Sequence, residues 1–152
     1  MENAPKENGD AQEVDKKVLI SLEEYHRKTM EASKLINEES NRLITWALAI
    51  IGGTILIIIS TDYIRPSGAI LYTYFLFAVG WLYLGLSIFY GEEITRIYIA
   101  GITNEKNLQE INKIGREIDK RFGKQISYFK KGIVTFSFWL GVFLFWYIFH
   151  KR

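Results

Sequence analysis

Residues 43–61 read LITWALAIIGGTILIIIST, nineteen positions without an Asp, Glu, Lys, Arg or His. A helix needs about 20 such residues to cross the hydrocarbon core of a bilayer. The ten Leu and Ile residues of the stretch contribute roughly 3–6 kcal/mol of insertion free energy, with no central charge, costing about 3 kcal/mol, to oppose them. Two further windows share the property: 69–90, AILYTYFLFAVGWLYLGLSIFY, and 132–149, GIVTFSFWLGVFLFWYIF. The chain has 152 residues, 49% of them hydrophobic and 15% aromatic. The remaining polar segments are too few to wrap three all-apolar helices into a soluble core. The expected fold is therefore an all-α integral membrane protein with three transmembrane helices and cytoplasmic helical extensions.

Orientation follows from the basic residues. Residues 1–42 carry seven Lys and Arg, 62–68 one, 91–131 nine and the tail two. Basic loops stay in the cytoplasm, which places the N-terminus and 91–131 inside and 62–68 and the tail outside. The expected location is a membrane, the bacterial inner membrane, with the first span as an uncleaved anchor because the first seventeen residues are polar.

Residues 1–15 are polar and unpatterned and are expected to be a disordered tail. A cytoplasmic amphipathic helix is assigned to 16–42. Ser21 and Glu24 form a capping box, flanked by Ile20 and Tyr25, that predicts a helix start at Ser21. Leu22, Tyr25, Thr29, Ala32 and Ile36 then recur at steps of three and four and lead into the span 43–61. The outer turn, 62–68 (DYIRPSG), holds Pro66 and Gly68 and makes the first two spans antiparallel neighbours. A cytoplasmic helical hairpin is assigned to 91–131, with its turn at GITN. Gly101 is expected to end one helix and Thr103 or Asn104 to cap the next. Unequal arm lengths predict a bend near Gly123 or Gly132. The third span, 132–149, precedes a short tail, 150–152.

One pattern crosses the boundary between the last two segments. Phe122, Phe129, Phe136 and Phe143 lie seven residues apart, in a heptad row with Leu108 and Gly115; the row beside it holds Ile111, Ile118, Gln125, Gly132, Trp139 and Trp146. One continuous helix with the phenylalanines on a shared packing face explains the spacing, in the manner of a coiled coil. In the membrane, Ala49 with Gly53 and Ser137 with Gly141 are small pairs four residues apart, suited to close helix contact and self-association.

Residues 1–42 are net −3 (seven basic, ten acidic) and 91–131 net +3 (nine basic, six acidic), so these segments are complementary within or between chains. Lys113, Arg116, Lys120, Arg121, Lys124, Lys130 and Lys131 form a juxtamembrane basic cluster suited to anionic lipid headgroups. Nucleic acid is a poorer match, because no nucleic-acid-binding fold surrounds the cluster. The chain has no cysteine, and its two histidines, His26 and His150, are far apart. Thiol chemistry is excluded, no metal site or cofactor is expected, and the spans carry no ionisable group for ion-coupled transport. No enzyme is expected.

The order of a cytoplasmic helix, a tight membrane hairpin and a second cytoplasmic helix, over about residues 20–122, resembles the two-transmembrane SLATT-type proteins of bacterial conflict systems. The likeness is one of layout without a diagnostic motif, and the third span departs from it. It implies a membrane-disrupting effector. The expected function is a non-enzymatic, self-associating membrane protein, a pore-forming or membrane-perturbing effector with cytoplasmic sensing helices. The alternative is an accessory subunit of a larger membrane complex. Expected partners are an anionic bilayer and either copies of the chain or other membrane proteins.

Overall fold

The computed structural model describes residues 7–60, 74–103 and 108–150, and side chains from Lys17 onward except those of residues 57–60, 74, 108, 143, 146, 147 and 150. Three helices account for them: α1 (Glu7–Ser60), α2 (Tyr74–Thr103) and α3 (Leu108–His150). The outer turn at 62–68, the first six residues, Asn104 and the last two residues lie outside the described set, as does the side chain of Phe143. Among the described residues, one stretch, Phe75–Thr103, 29 residues long, is long and apolar enough to cross a membrane, with a mean hydropathy of 1.4 in its 18-residue apolar window. The windows 43–61 and 132–149 each run through positions whose side chains are not described.

Cross-helix contacts fix the register. Thr54 meets Trp81, Ile44 meets Gly91 and Asn37 meets Thr95, so α1 and α2 are antiparallel. Gly80 meets Phe136, Leu84 meets Gly132, Gly91 meets Gln125 and Gly101 meets Ile114, so α2 and α3 are antiparallel as well. Thr29 beside Gly115 and Ser40 beside Gln125 make α1 and α3 parallel. The α2–α3 contact is the most extensive of the three.

The interior is built from small and polar residues as much as from large apolar ones. Ala47, Leu84, Ile94 and Ile118 are fully buried, and so are Ser40, Ser87 and Gln125. Gln125 Nε2 donates to the Ser40 carbonyl at 3.1 Å, and Ser87 Oγ donates to the Gln125 carbonyl at 3.1 Å, tying all three helices at one level. Glycine makes the close approach possible. A methyl on Gly132 would lie 2.7 Å from Leu84 Cδ2, one on Gly80 2.8 Å from the Phe136 ring, and one on Gly91 2.5 Å from Gln125 Nε2. None of these separations is open to a real Cβ, so the helix axes can come this near only where the side chain is a hydrogen.

Several sequence expectations are corrected. Helix α1 begins at Glu7, and residues 7–15 continue it instead of forming a disordered tail. Ser21 is thus an interior position whose hydroxyl donates to the Val18 carbonyl at 2.8 Å, the back-bonding alternative to a cap. Extending an existing helix fixes one residue per hydrogen bond, whereas starting one at Ser21 carries the cost of nucleation. At the other turn, Gly101 lies inside α2 with no positive φ, and Thr103 Oγ donates back to the Ile99 carbonyl at 3.0 Å. Helix α3 runs unbroken past Gly123 and Gly132. The unequal arms are accommodated by stagger: Gly132 opposes Leu84, six residues before the end of the second apolar window.

The buried stripe of α1 also differs from the expected one. Ala32 and Tyr25 are exposed, while Ser33, Ser40 and Ala47 are buried with Asn37 and Ile44 between them. This is again a three-and-four pattern, but one carried by small side chains that a hydropathy reading passes over.

Candidate membrane-interface site

Where the three apolar windows meet the charged halves of the helices, α2 and α3 present a stack of tyrosines. Tyr90 and Tyr128 lie parallel, with ring centroids 5.5 Å apart and planes 5° from one another, and Tyr83 stacks on the other side of Tyr128 at 6.3 Å. Tyr83 and Tyr90 are seven residues apart on α2, two turns on one face, which leaves a gap one ring wide for Tyr128. Two lysines of α3, also seven apart, lie over the rings. Lys124 Nζ sits 5.4 Å from the Tyr90 centroid, and Lys131 Nζ 5.4 Å from Tyr128 and 5.9 Å from Tyr83. Each ammonium is attracted by the ring quadrupoles while remaining outside the bundle. Tyrosine is suited to a membrane–water boundary because it joins an apolar ring to a polar tip.

The basic cluster expected from sequence divides into parts. Arg121 is taken up by the fold: it pairs with Glu93 across to α2 and with Glu117, 3.0 Å away, on its own helix. Lys124 and Lys131 belong to the tyrosine stack, and Lys130 lies on the opposite flank beside Ile133 and Val134. Lys113, Arg116 and Lys120 surround a shallow basic depression together with Glu117. Lys113 precedes Lys131 by 18 residues, ~27 Å of helix. That distance is several times the ~8 Å over which charge is felt at physiological salt. One bilayer surface therefore does not serve the whole cluster if α3 stands upright.

The phenylalanine ladder flanks the core seam. The seam is the neighbouring row, in which Ile111, Ile118, Gln125 and Gly132 are buried. Phe122, Phe129 and Phe136 are half-buried. Phe136 packs edge-on against Phe77 at 5.6 Å and seats its ring on Gly80. Phe122 and Phe129 instead border a groove open to the outside between α1 and α3. Ala49 and Gly53 are exposed, and a methyl on Gly53 would meet nothing within 4 Å; the same holds for Gly141, which lies with Ser137 in a notch between Phe138 and Phe145. Among the described residues, neither glycine is closely packed against another helix.

Sequence reasoning missed the three-helix polar node. Ser40, Ser87 and Gln125 are spaced along separate segments, and only the register that brings Gly91 opposite Gln125 joins them. A signal was present in Gln125 and Gly132, the two non-apolar members of an otherwise apolar heptad row. Among the described residues no group of three His, Asp or Glu side chains is placed to hold a metal ion.

No family model matches the chain, no curated protein matches it, and no solved structure matches its fold. The resemblance to the SLATT layout rests on helix order alone.

Proposed function

We propose that this chain is a non-enzymatic, self-associating membrane protein. All three helices cross the bilayer, the N-terminus and residues 91–131 face the cytoplasm, and the tyrosine–lysine stack marks the inner boundary. The observation that carries the reading is the direction in which large apolar side chains point. Leu56 is 67% exposed on α1, Phe75 70% on α2 and Phe145 66% on α3, and they are joined by Trp46, Leu82, Phe138 and Phe149. The interior at this end of the bundle holds Ser87, Gly80 and Gly132 beside Ala47, Phe77 and Leu84. Water as the surrounding solvent would penalise that arrangement by roughly 25 cal/mol for each Å² of apolar surface left exposed. Hydrocarbon does not, and there the small and polar residues are the ones that bring helices together.

Self-association is supported by the unoccupied small faces at Ala49–Gly53 and Ser137–Gly141. A pore or membrane-perturbing effector is the form of assembly we favour, with the cytoplasmic half of α1 and the α2–α3 hairpin receiving the signal. An accessory subunit is the second reading, favoured by the aromatic notch at Phe138, Gly141 and Phe145, which would accept a helix of another protein as readily as one of its own. Cysteine labelling and mass measurement in mild detergent test both levels. A cysteine at Ser67 is expected to react with an impermeant reagent from outside and one at Ser127 not to, and the purified protein is expected as a discrete homo-oligomer. The reverse labelling pattern would overturn the orientation, and a lone protomer would favour the subunit reading.

A further inference from the structure

A groove lies between α1 and α3, bordered by residues of both helices. It measures about 670 Å³, within the range of ~300–1,000 Å³ that small-molecule sites occupy. Its floor is apolar: Leu43 from α1, and Phe122, Ile126, Phe129 and Ile133 from α3. Its charged side chains are two, Glu39 on the α1 side and Lys130 on the α3 side. Leu43 opens the first charge-free window and Lys130 lies two residues before the third, so the groove straddles the level of the tyrosine stack.

We infer that this groove binds one phospholipid of the zwitterionic, primary-amine class, with a phosphoethanolamine headgroup. Its phosphate meets the Lys130 ammonium, its amine meets the Glu39 carboxylate above the phenylalanine and isoleucine floor, and its acyl chains leave past Ile133 and Val134. Charge complementarity selects the class. A rim of lysines alone would favour a headgroup with net negative charge, and an uncharged rim would not discriminate. One carboxylate and one ammonium match a headgroup that carries both signs. The carboxylate narrows the choice further, because it accepts hydrogen bonds: a primary ammonium offers three N–H donors and a quaternary choline offers none. Lys130 has no acidic partner among the described residues. Glu39 accepts from Arg42 at 2.8 Å, but both side chains of that pair are more than half exposed, so the pair is weak and gives way to a better-placed donor. The site gives Phe122 and Phe129, below the third apolar window, a place under the headgroup. It is distinct from the Lys124 and Lys131 stack and rests on the three-span reading, since only then does the bilayer reach the groove.

The test uses the full chain in nanodiscs made of equal parts phosphatidylethanolamine, phosphatidylglycerol and phosphatidylcholine with identical acyl chains. Lipid retained on the protein after transfer to detergent is counted by native mass spectrometry. One phosphatidylethanolamine per protomer is expected, enriched about tenfold over each of the others, as one additional charge-assisted hydrogen bond supplies. Glu39→Gln is expected to abolish the preference over phosphatidylglycerol, and Ile126→Trp, which fills the floor, to lower retention of all three. Equal or greater retention of phosphatidylglycerol by the unaltered chain would overturn the inference, as would a preference that survives both substitutions. A groove that retains no lipid and is protected by a second copy would overturn it too. Labelling at Ser67 separates the causes: a labelled protein without bound phosphatidylethanolamine refutes the groove alone, and failure to cross the membrane refutes the reading beneath it.

Discussion

Gly132 offers the sharpest test of the packing. A methyl there would stand 2.7 Å from Leu84 Cδ2 and 2.9 Å from Leu84 Cγ, and Leu84 is fully buried, so its side chain has no free space into which to turn. Two effects oppose each other in Gly132→Ala. Replacing glycine inside a helix gains roughly 0.5–1 kcal/mol of backbone entropy, whereas forcing an extra carbon into a filled core costs about 1–3 kcal/mol. A net loss of about 1–2 kcal/mol is expected. Gly123→Ala is the internal comparison, because nothing lies within 4 Å of its added methyl and only the gain of roughly 0.5–1 kcal/mol remains. The two alanines should thus move stability in opposite directions. Leu84→Ala removes the obstructing side chain at a cost of about 2–5 kcal/mol, and in that background Gly132→Ala should become neutral or favourable, a coupling of about 1–3 kcal/mol. Thermal inactivation of the detergent-purified protein, followed by resistance of the Leu108–His150 helix to proteolysis, reads the order of the four variants. If Gly132→Ala behaves like Gly123→Ala and shows no coupling to Leu84→Ala, the register of α2 against α3 described above is wrong.

Three further outcomes are expected. Tyr128→Ala should destabilise the hairpin by about 1–2 kcal/mol because it removes the centre of the tyrosine stack and its lysine contact, whereas Ser127→Ala, exposed next to it, should leave proteolytic cleavage of 104–131 unchanged; equal rates would remove the stack from the fold's energetics. Arg121→Gln should loosen the charged halves of α2 and α3 by about 1–2 kcal/mol by leaving Glu93 without its cross-helix partner, seen as faster amide exchange near Glu93. Gly53→Leu should leave the protomer intact while reducing oligomer mass in mild detergent; an unchanged mass would take that face out of any assembly.

How much of this could be read from residues alone depends on what the inside of the bundle is made of. Charge-free runs and unbroken periodicity located three helices, and the two adjacent heptad rows of α3 were both visible. Choosing between the rows was the difficulty. Phe122 and Phe129 are the more hydrophobic candidates, but Gln125 and Gly132 occupy the seam, since small size and hydrogen bonding decide burial where outward-facing side chains are equally apolar. The same preference hid Ser33, Ser40 and Ala47 on α1 behind the more hydrophobic Leu22 and Tyr25. Within the basic cluster, sequence gave position along the helix but not azimuth. Arg121 and Lys124 are three residues apart, yet one is held by Glu93 and the other lies over Tyr90. The Lys130 groove needed the crossing of α1 and α3, which no local pattern encodes.

Helix α1 is one continuous rod of 54 residues, and its cross-helix contacts run from Thr29 through Asn37 and Ser40 to Thr54. Beyond Thr29 the same helix continues for ~33 Å to Glu7. A rod clamped along one half behaves as a cantilever. A sideways load on the Glu7 end of a stiff helix is passed into the clamped half, which is ~38 Å long from Thr29 to Thr54. Because Ala49 and Gly53 lie in that half, such a load reaches them along the helix itself, without a relay of loops or hinges.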